Sequence, residues 1–220
     1  MKMRTITKYS ISLRNALHSI APNFADRMES RSAIEQYRRL IAEKGFQVPL
    51  PQFIKRSIIK KIILEHNCHA LVETGTYLGD TPWALRNDLE AIYSIELSAD
   101  LAALAQRRFK HYPKVEIVVG DSGQKLRDIV PRLKSKTLFW LDGHYSAGFT
   151  AQGKVDCPIF DELETILRNC SVSWVILIDD ARCFGVDRDY PSISELSTYI
   201  KNRCSDASIV VENDIIRVSR

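Results

Sequence analysis

Short apolar runs and amphipathic stretches alternate regularly along most of this 220-residue chain. Runs typical of buried strands lie at 69–74, 91–97, 114–120, 136–142 and 173–179. Each is followed by a stretch with helical spacing, and this alternation predicts an α/β fold with a parallel sheet covered on both faces. The last two runs, ASIVV and IIRVS, flank a tight turn at Glu212, Asn213 and Asp214, which predicts an antiparallel C-terminal hairpin.

The first 50 residues lack strand signals and are predicted to be helical in pieces, with a break at Pro22. Pro49 and Pro51 mark a boundary, so we expect an N-terminal helical segment over 1–50 and a main domain over 51–220. Three roles stay open for the first segment: a lid over a substrate, packing against the sheet, or the contact of a homodimer.

Composition excludes several classes of protein. The net charge is only +4 and the basic residues are spread along the chain, so we expect no nucleic-acid partner. The five cysteines form no CxxC pair, which predicts reduced thiols. No apolar run approaches the roughly 20 residues of a membrane span, and the N-terminus lacks the apolar core of a signal peptide. We therefore expect a cytoplasmic protein without a transmembrane segment.

A glycine-containing loop, running from Glu73 to Gly79, follows the first predicted strand. In doubly wound sheets, ligands bind at the carboxyl ends of the strands, and Gly75 and Gly79 would let a ligand approach the backbone. The dinucleotide fingerprint requires a glycine two positions after the first, where this chain has Tyr77. An NAD-dependent oxidoreductase is therefore disfavoured.

Acidic residues follow the second and third predicted strands. Glu96 lies 21 positions after Gly75, where a carboxylate would accept hydrogen bonds from both ribose hydroxyls of a nucleotide. Asp121 comes directly after the third strand, where it would meet an adenine amino group. The alternative for each residue is a solvated or helix-capping acid. Together with the glycine loop after the first strand, however, the two acids give a match at each of three strand ends, which favours a ligand site.

The segments VETGTYLGDT, YSIELS, VVGDS and LFWLDGHYS together resemble the class I S-adenosylmethionine-dependent methyltransferases over residues 51–220. The resemblance implies a Rossmann-like seven-stranded sheet, mostly parallel, with one antiparallel strand in the C-terminal hairpin. It also implies S-adenosylmethionine as cofactor. The implied cofactor-binding residues are Glu73, Gly75, Thr76, Gly79 and Thr81 around the first loop, Glu96 at the ribose, and Asp121 and Ser122 at the adenine.

Further acidic residues follow the fourth and fifth strands, which are neighbours in this topology. Their ends would bring Asp142, His144, Asp179 and Asp180 together beside the transferable methyl group. Three unpaired carboxylates repel one another, and a hard cation such as Mg²⁺ removes that conflict. The alternative is plain polarity at strand ends, without a metal.

The same pattern resembles the sugar O-methyltransferases of the macrocin and novobiocin type, which carry D-G-D after strand four and D-D after strand five. This resemblance implies Asp142, Asp179 and Asp180 as metal ligands, with His144 at the position of the catalytic base. A neutral imidazole can take a hydroxyl proton near pH 7. The sequence thus predicts metal-assisted O-methylation of a small molecule or sugar.

Two other functions stay open. An N-methyltransferase is disfavoured because no acidic residue or Asn followed by Pro-Pro and an aromatic residue comes after strand four. A non-catalytic protein that binds S-adenosylmethionine as a structural or regulatory partner is disfavoured because the D-G-H and D-D sequences are present.

Overall fold

The computed structural model describes Glu35, Arg39 and the ranges 49–142, 158–187 and 189–220. The chain divides into two compact units, Met1–Lys55 and Arg56–Arg220. In the first unit, Glu35 and Arg39 are helical and form an exposed ion pair at 3.3 Å, one turn apart. The expectations for the rest of the N-terminal segment lie outside the described residues.

The strands of the described residues follow the predicted runs within one or two residues. They are β1 (Ala70–Thr74), β2 (Ala91–Glu96), β3 (Val115–Val119), β4 (Thr137–Leu141), β5 (Trp174–Ile178), β6 (Ser208–Glu212) and β7 (Ile215–Ser219). The α-helices are α1 (Gln52–His66), α2 (Asp80–Leu85), α3 (Ala99–Phe109), α4 (Ser122–Ile129), α5 (Ile159–Asn169) and α6 (Ile193–Lys201). Short 3₁₀ turns lie at Val130–Arg132 and Ala181–Cys183.

The seven strands form one sheet in the order β3-β2-β1-β4-β5-β7-β6. All pairings are parallel from β3 to β5, and β7 runs antiparallel to both β5 and β6. Asn213 and Asp214 join the hairpin with φ values of 52° and 59°, the positive values that a two-residue type I′ turn needs. The predicted fold is therefore confirmed, including the single reversed strand. The chain order reverses between β1 and β4, which is where this class of sheet binds ligands.

The central strands are buried on both faces. Every residue of β1, β4 and β5 is buried, which explains why these strands are continuous apolar runs and not alternating ones. Trp140 and Trp174 are 1% and 2% exposed and pack in the core. The edge strand β3 alternates buried and exposed positions. One apolar cluster fills each face of the sheet, so the carboxyl ends of the strands are held in fixed positions.

Two further expectations are tested by the described residues. Cys68, Cys170, Cys183 and Cys204 are free thiols, in line with the prediction for those four residues. Within the described ranges, no helix has the length and apolar character needed to cross a bilayer.

Candidate active site

The loop after β1 has an unusual backbone. Gly75, Tyr77 and Gly79 have φ values of 90°, 49° and 77°, so the chain turns sharply before α2 begins. A Cβ atom on Gly79 would lie 2.8 Å from Cε2 of Phe109, closer than such atoms approach in proteins. The N–H groups of Gly75 and Thr76 donate to the carbonyl of Ile95 at 2.9 and 3.1 Å. The loop is therefore fastened to the end of β2 by its own backbone.

Glu96 ends β2, and its carboxylate meets this loop. Its Oε2 accepts from the N–H of Tyr77 and its Oε1 from the N–H of Ser98, both at 2.8 Å. The residue is 6% exposed, and burial raises its pKa while the backbone bonds oppose that shift. Each carboxylate oxygen has a second lone pair, so Glu96 retains the capacity to accept ribose hydroxyls. The arrangement fits a nucleoside beside the loop.

Glu73 and Thr76 lie beneath the loop in a buried hydrogen-bonded group. The hydroxyl of Ser94 donates to Oε2 of Glu73 at 2.5 Å and lies 2.7 Å from the hydroxyl oxygen of Thr76. Burial raises the pKa of Glu73 to about 8, although Ser94 and Thr81 lower it in part. Glu73, Thr76 and Thr81 thus come together at the first loop, and their roles toward a cofactor stay predictions.

Asp121 and Ser122 lie at the junction of β3 and α4. Oδ1 of Asp121 accepts from the N–H of Gln124 at 3.1 Å, so Asp121 is the N-cap of α4. The capping role considered from the sequence is therefore present. It occupies one lone pair of the carboxylate, which leaves capacity for an adenine amino group. Contact with adenine stays a prediction for both residues.

Arg108, which the sequence analysis did not identify, contacts the loop from α3. The Arg108 side chain, from α3, is 7% exposed and donates from Nη1 to the carbonyl of Leu78 at 2.6 Å and to Oδ1 of Asp80 at 2.9 Å. Its guanidinium carbon lies 4.7 Å from the ring centroid of Trp83. One side chain therefore fixes both the loop and the first turn of α2.

The predicted acidic group forms at the ends of β4 and β5. Ligand oxygens of Asp142, Asp179 and Asp180 all lie within 4.8 Å of one another. The N–H of Asp142 donates to the carbonyl of Thr74 at 3.2 Å and that of Asp179 to the carbonyl of Leu141 at 3.0 Å, so the register of the sheet sets this spacing. Three carboxylates at this separation are a donor set that fits Mg²⁺, Mn²⁺ or Ca²⁺.

The interpretation of these three carboxylates as unpaired is wrong for Asp180. Nη1 of Arg182 donates to Oδ1 of Asp180 at 2.8 Å and also forms an ion pair with Asp214, in the hairpin turn. The backbone N–H of Arg182 donates to Oδ1 of Asp214 at 2.8 Å. Asp180 itself has a φ of 57°, which turns the chain toward this pair. A guanidinium thus already neutralises part of the negative charge.

His144, the predicted base, lies outside the described residues, as do residues 145–157.

No family model and no curated protein matches this sequence. Solved structures do match. An O-methyltransferase from Bacillus cereus, in complex with S-adenosylhomocysteine, is 12% identical, and the match covers 95% of this chain and 97% of that one with a TM-score of 0.56. An S-adenosylhomocysteine-bound methyltransferase from Podospora anserina is 14% identical, with coverage of 91% and 96% and a TM-score of 0.51.

The fold is therefore similar to the folds of these two methyltransferases, and the predicted resemblance is confirmed for the fold. Identities of 12% and 14% carry the fold and nothing finer.

Proposed function

We propose that the chain is an S-adenosylmethionine-dependent methyltransferase that methylates an oxygen of a small molecule or sugar with the help of a divalent cation. The observation that carries the proposal is the position of the buried Glu96 carboxylate. It closes the end of β2 against a left-handed glycine loop, at the strand edge where this fold binds ligands.

On this proposal, the cofactor would be held along the ends of β1, β2 and β3. Glu96 would accept the ribose hydroxyls, Asp121 and Ser122 would lie at the adenine, and the loop from Gly75 to Gly79 would surround the methionine part. When bound, S-adenosylmethionine would supply a methyl group on a positively charged sulfur. The protein contributes alignment, because its loop is fastened to the end of β2 by backbone hydrogen bonds.

The acceptor would lie beside Asp142, Asp179 and Asp180, at the neighbouring strand ends. These carboxylates would hold one hard cation, which when bound would lower the pKa of an acceptor hydroxyl. Arg182 orients the Asp180 carboxylate and balances its charge. His144 would take the proton from the acceptor. A hard cation favours oxygen over nitrogen as the methylated atom, since oxygen donors suit such ions.

Titration calorimetry with S-adenosylhomocysteine tests the cofactor site. The wild-type protein should bind it, and Glu96→Ala should weaken binding by about tenfold or more, since a hydrogen bond to a charged group contributes about 1.5–3 kcal/mol. Glu90→Ala is the matched control, because Glu90 is an exposed glutamate just before the other end of β2. Tight NAD binding without S-adenosylhomocysteine binding would refute the proposal.

A further inference from the structure

Glu162 is a buried acid that the proposed chemistry does not use. It lies in the first turn of α5 and is 0% exposed, and among the described residues neither carboxyl oxygen has a hydrogen-bond partner of ordinary geometry. A buried polar group without a partner costs free energy, so its presence in a packed core requires an explanation.

The surroundings of Glu162 belong to the candidate cofactor site. The hydroxyls of Ser122, the first residue of α4, and Thr74, the last residue of β1, are close enough to lower its pKa. At the same junction, a Cβ atom on Gly123 would lie 3.2 Å from Cβ of Asp161 and 3.3 Å from Oδ1 of Asp121. The amino ends of α4 and α5 therefore pack tightly here.

The charged groups around Glu162 do not favour its ionised form. Asp121, at the amino end of α4, and Asp161, on its own helix, are both acidic and raise its pKa, and β1 contributes the neutral hydroxyl of Thr74. Burial is the largest effect, and together these effects raise the pKa to about 7. Near neutral pH, a large fraction of Glu162 is therefore a neutral carboxylic acid that can donate a hydrogen bond.

The Thr74 and Ser122 hydroxyls both lie next to segments of the proposed cofactor site. Thr74 is followed directly by the glycine loop, and its carbonyl accepts from the N–H of Asp142 at 3.2 Å. Ser122 follows Asp121, at the proposed adenine position. A group that holds Thr74 and Ser122 at a fixed separation would set the width of the cofactor site between β1 and α4.

We propose that Glu162 is a positioning residue that holds Thr74 and Ser122 in place for binding of the adenosyl group. The inference rests on the proposed cofactor. It assigns Glu162 no contact with the reacting atoms. Ionisation of Glu162 places a charge in the core beside the acidic residues Asp121 and Asp161, which loosens the junction and weakens cofactor binding.

The experiment is calorimetry with S-adenosylhomocysteine at pH 6, 7 and 8. If only the neutral form is competent, wild-type affinity should fall about tenfold from pH 6 to pH 8, as the competent fraction falls. Glu162→Gln is permanently neutral and keeps a donor, so its affinity should lose this component of the pH dependence. Glu162→Leu keeps the volume without a donor, so it should bind several-fold more weakly than Glu162→Gln at pH 6.

Glu164→Gln is the matched control. Glu164 lies on the same helix but pairs with Arg168 and Arg203 near the surface, so this variant should keep the wild-type profile. Urea unfolding of each variant verifies that it is folded. A wild type that binds with the same pH profile as Glu162→Gln overturns the inference alone, as does a Leu variant that binds as tightly as the Gln variant. A wild type that binds at no pH overturns the proposed function as well.

Discussion

The cofactor end and the acidic end of the candidate site are held by different kinds of contact. At the cofactor end, backbone N–H groups hold the loop. Those of Gly75 and Thr76 donate to the carbonyl of Ile95, and that of Tyr77 donates to the carboxylate of Glu96. At the second, the contacts that position Asp180 come from a side chain, Arg182, and through it from Asp214. The loop at the first end is bonded to β2 mainly through backbone groups, whereas Asp180 at the second end is oriented by charged side chains.

This difference predicts different sensitivities. Backbone hydrogen bonds inside a buried loop change little with ionic strength, because salt screens charges that are exposed and far apart. At the acidic end, a divalent cation and Arg182 would both interact with Asp180, so the charge on each side chain affects the affinity for the cation. Substitutions that alter charge but not shape should separate the two ends.

The largest effect is expected for Asp179→Asn, which removes a charge from the fully buried member of the acidic group. Affinity for Mn²⁺, followed by electron paramagnetic resonance, should fall at least about tenfold. Turnover of an acceptor should fall roughly a hundredfold or more, since a catalytic cation contributes several kcal/mol. Binding of S-adenosylhomocysteine should stay near the wild-type value, and EDTA should reproduce the loss of turnover reversibly.

Asp128→Asn is the control for this comparison, because Asp128 is an exposed aspartate paired only weakly with Lys125. It should leave both Mn²⁺ and cofactor binding unchanged. Full turnover in excess EDTA, or equal Mn²⁺ affinity in the wild type and Asp179→Asn, would refute the proposal that these carboxylates hold a catalytic cation. The three carboxylates would then only cap strand ends.

The sequence predicts the backbone arrangement at the cofactor end and at the acidic end of the site. It does not predict the side-chain partners of the charged residues at either end. The parallel strands and the reversed last strand follow from the alternation of apolar runs and from the turn at Asn213 and Asp214. The neighbouring positions of β4 and β5 follow from the resemblance to class I methyltransferases. The approach of Asp142 and Asp179 follows as well, because each comes at the end of a strand and the strands are neighbours. The spacing of residues in the sequence is enough to predict a residue's position where the backbone alone sets that position.

Side-chain partners from distant parts of the chain could not be predicted in this way. Asp214 is 32 residues beyond Arg182 and meets it only because β7 pairs with β5. Glu162 did leave a signal: it shares the apolar helix face of Ile159, Leu163 and Ile166, where a charged residue is out of place. The signal shows burial but does not show which hydroxyl groups lie opposite.

A smaller effect, on stability, is expected at the cofactor end from Glu73. Its pKa is raised from 4.5 to about 8 by burial, so the folded state holds a proton that the unfolded state loses earlier. The contribution of Glu73 is complete below pH 4.5 and is lost as the pH rises through about 8. Wild-type unfolding free energy in urea should therefore fall between pH 6 and 8, by at most about 1.4 kcal/mol per pH unit from this residue.

Glu73→Gln removes this titration and keeps the shape, so its unfolding free energy should change less over the same range. Glu65→Gln is the control, since Glu65 is a half-exposed glutamate on α1 that forms an ion pair with Lys61 one turn away. Parallel slopes for the wild type and Glu73→Gln would mean that Glu73 is ionised in the folded protein. The cofactor end would then depend on charge as the acidic end does.

The smallest effect is expected for Arg108→Met, which tests whether the loop is preformed. The variant keeps an apolar stem against Trp83 but loses the donors to Leu78 and Asp80. Because the backbone bonds to β2 remain, affinity for S-adenosylhomocysteine should fall only about three- to tenfold, less than the charged hydrogen bonds contribute in full. Arg107→Met, at the exposed neighbouring position, should bind as the wild type does. A loss of a hundredfold would show that the loop depends on this one guanidinium, and an unchanged affinity would show that the backbone contacts alone shape it.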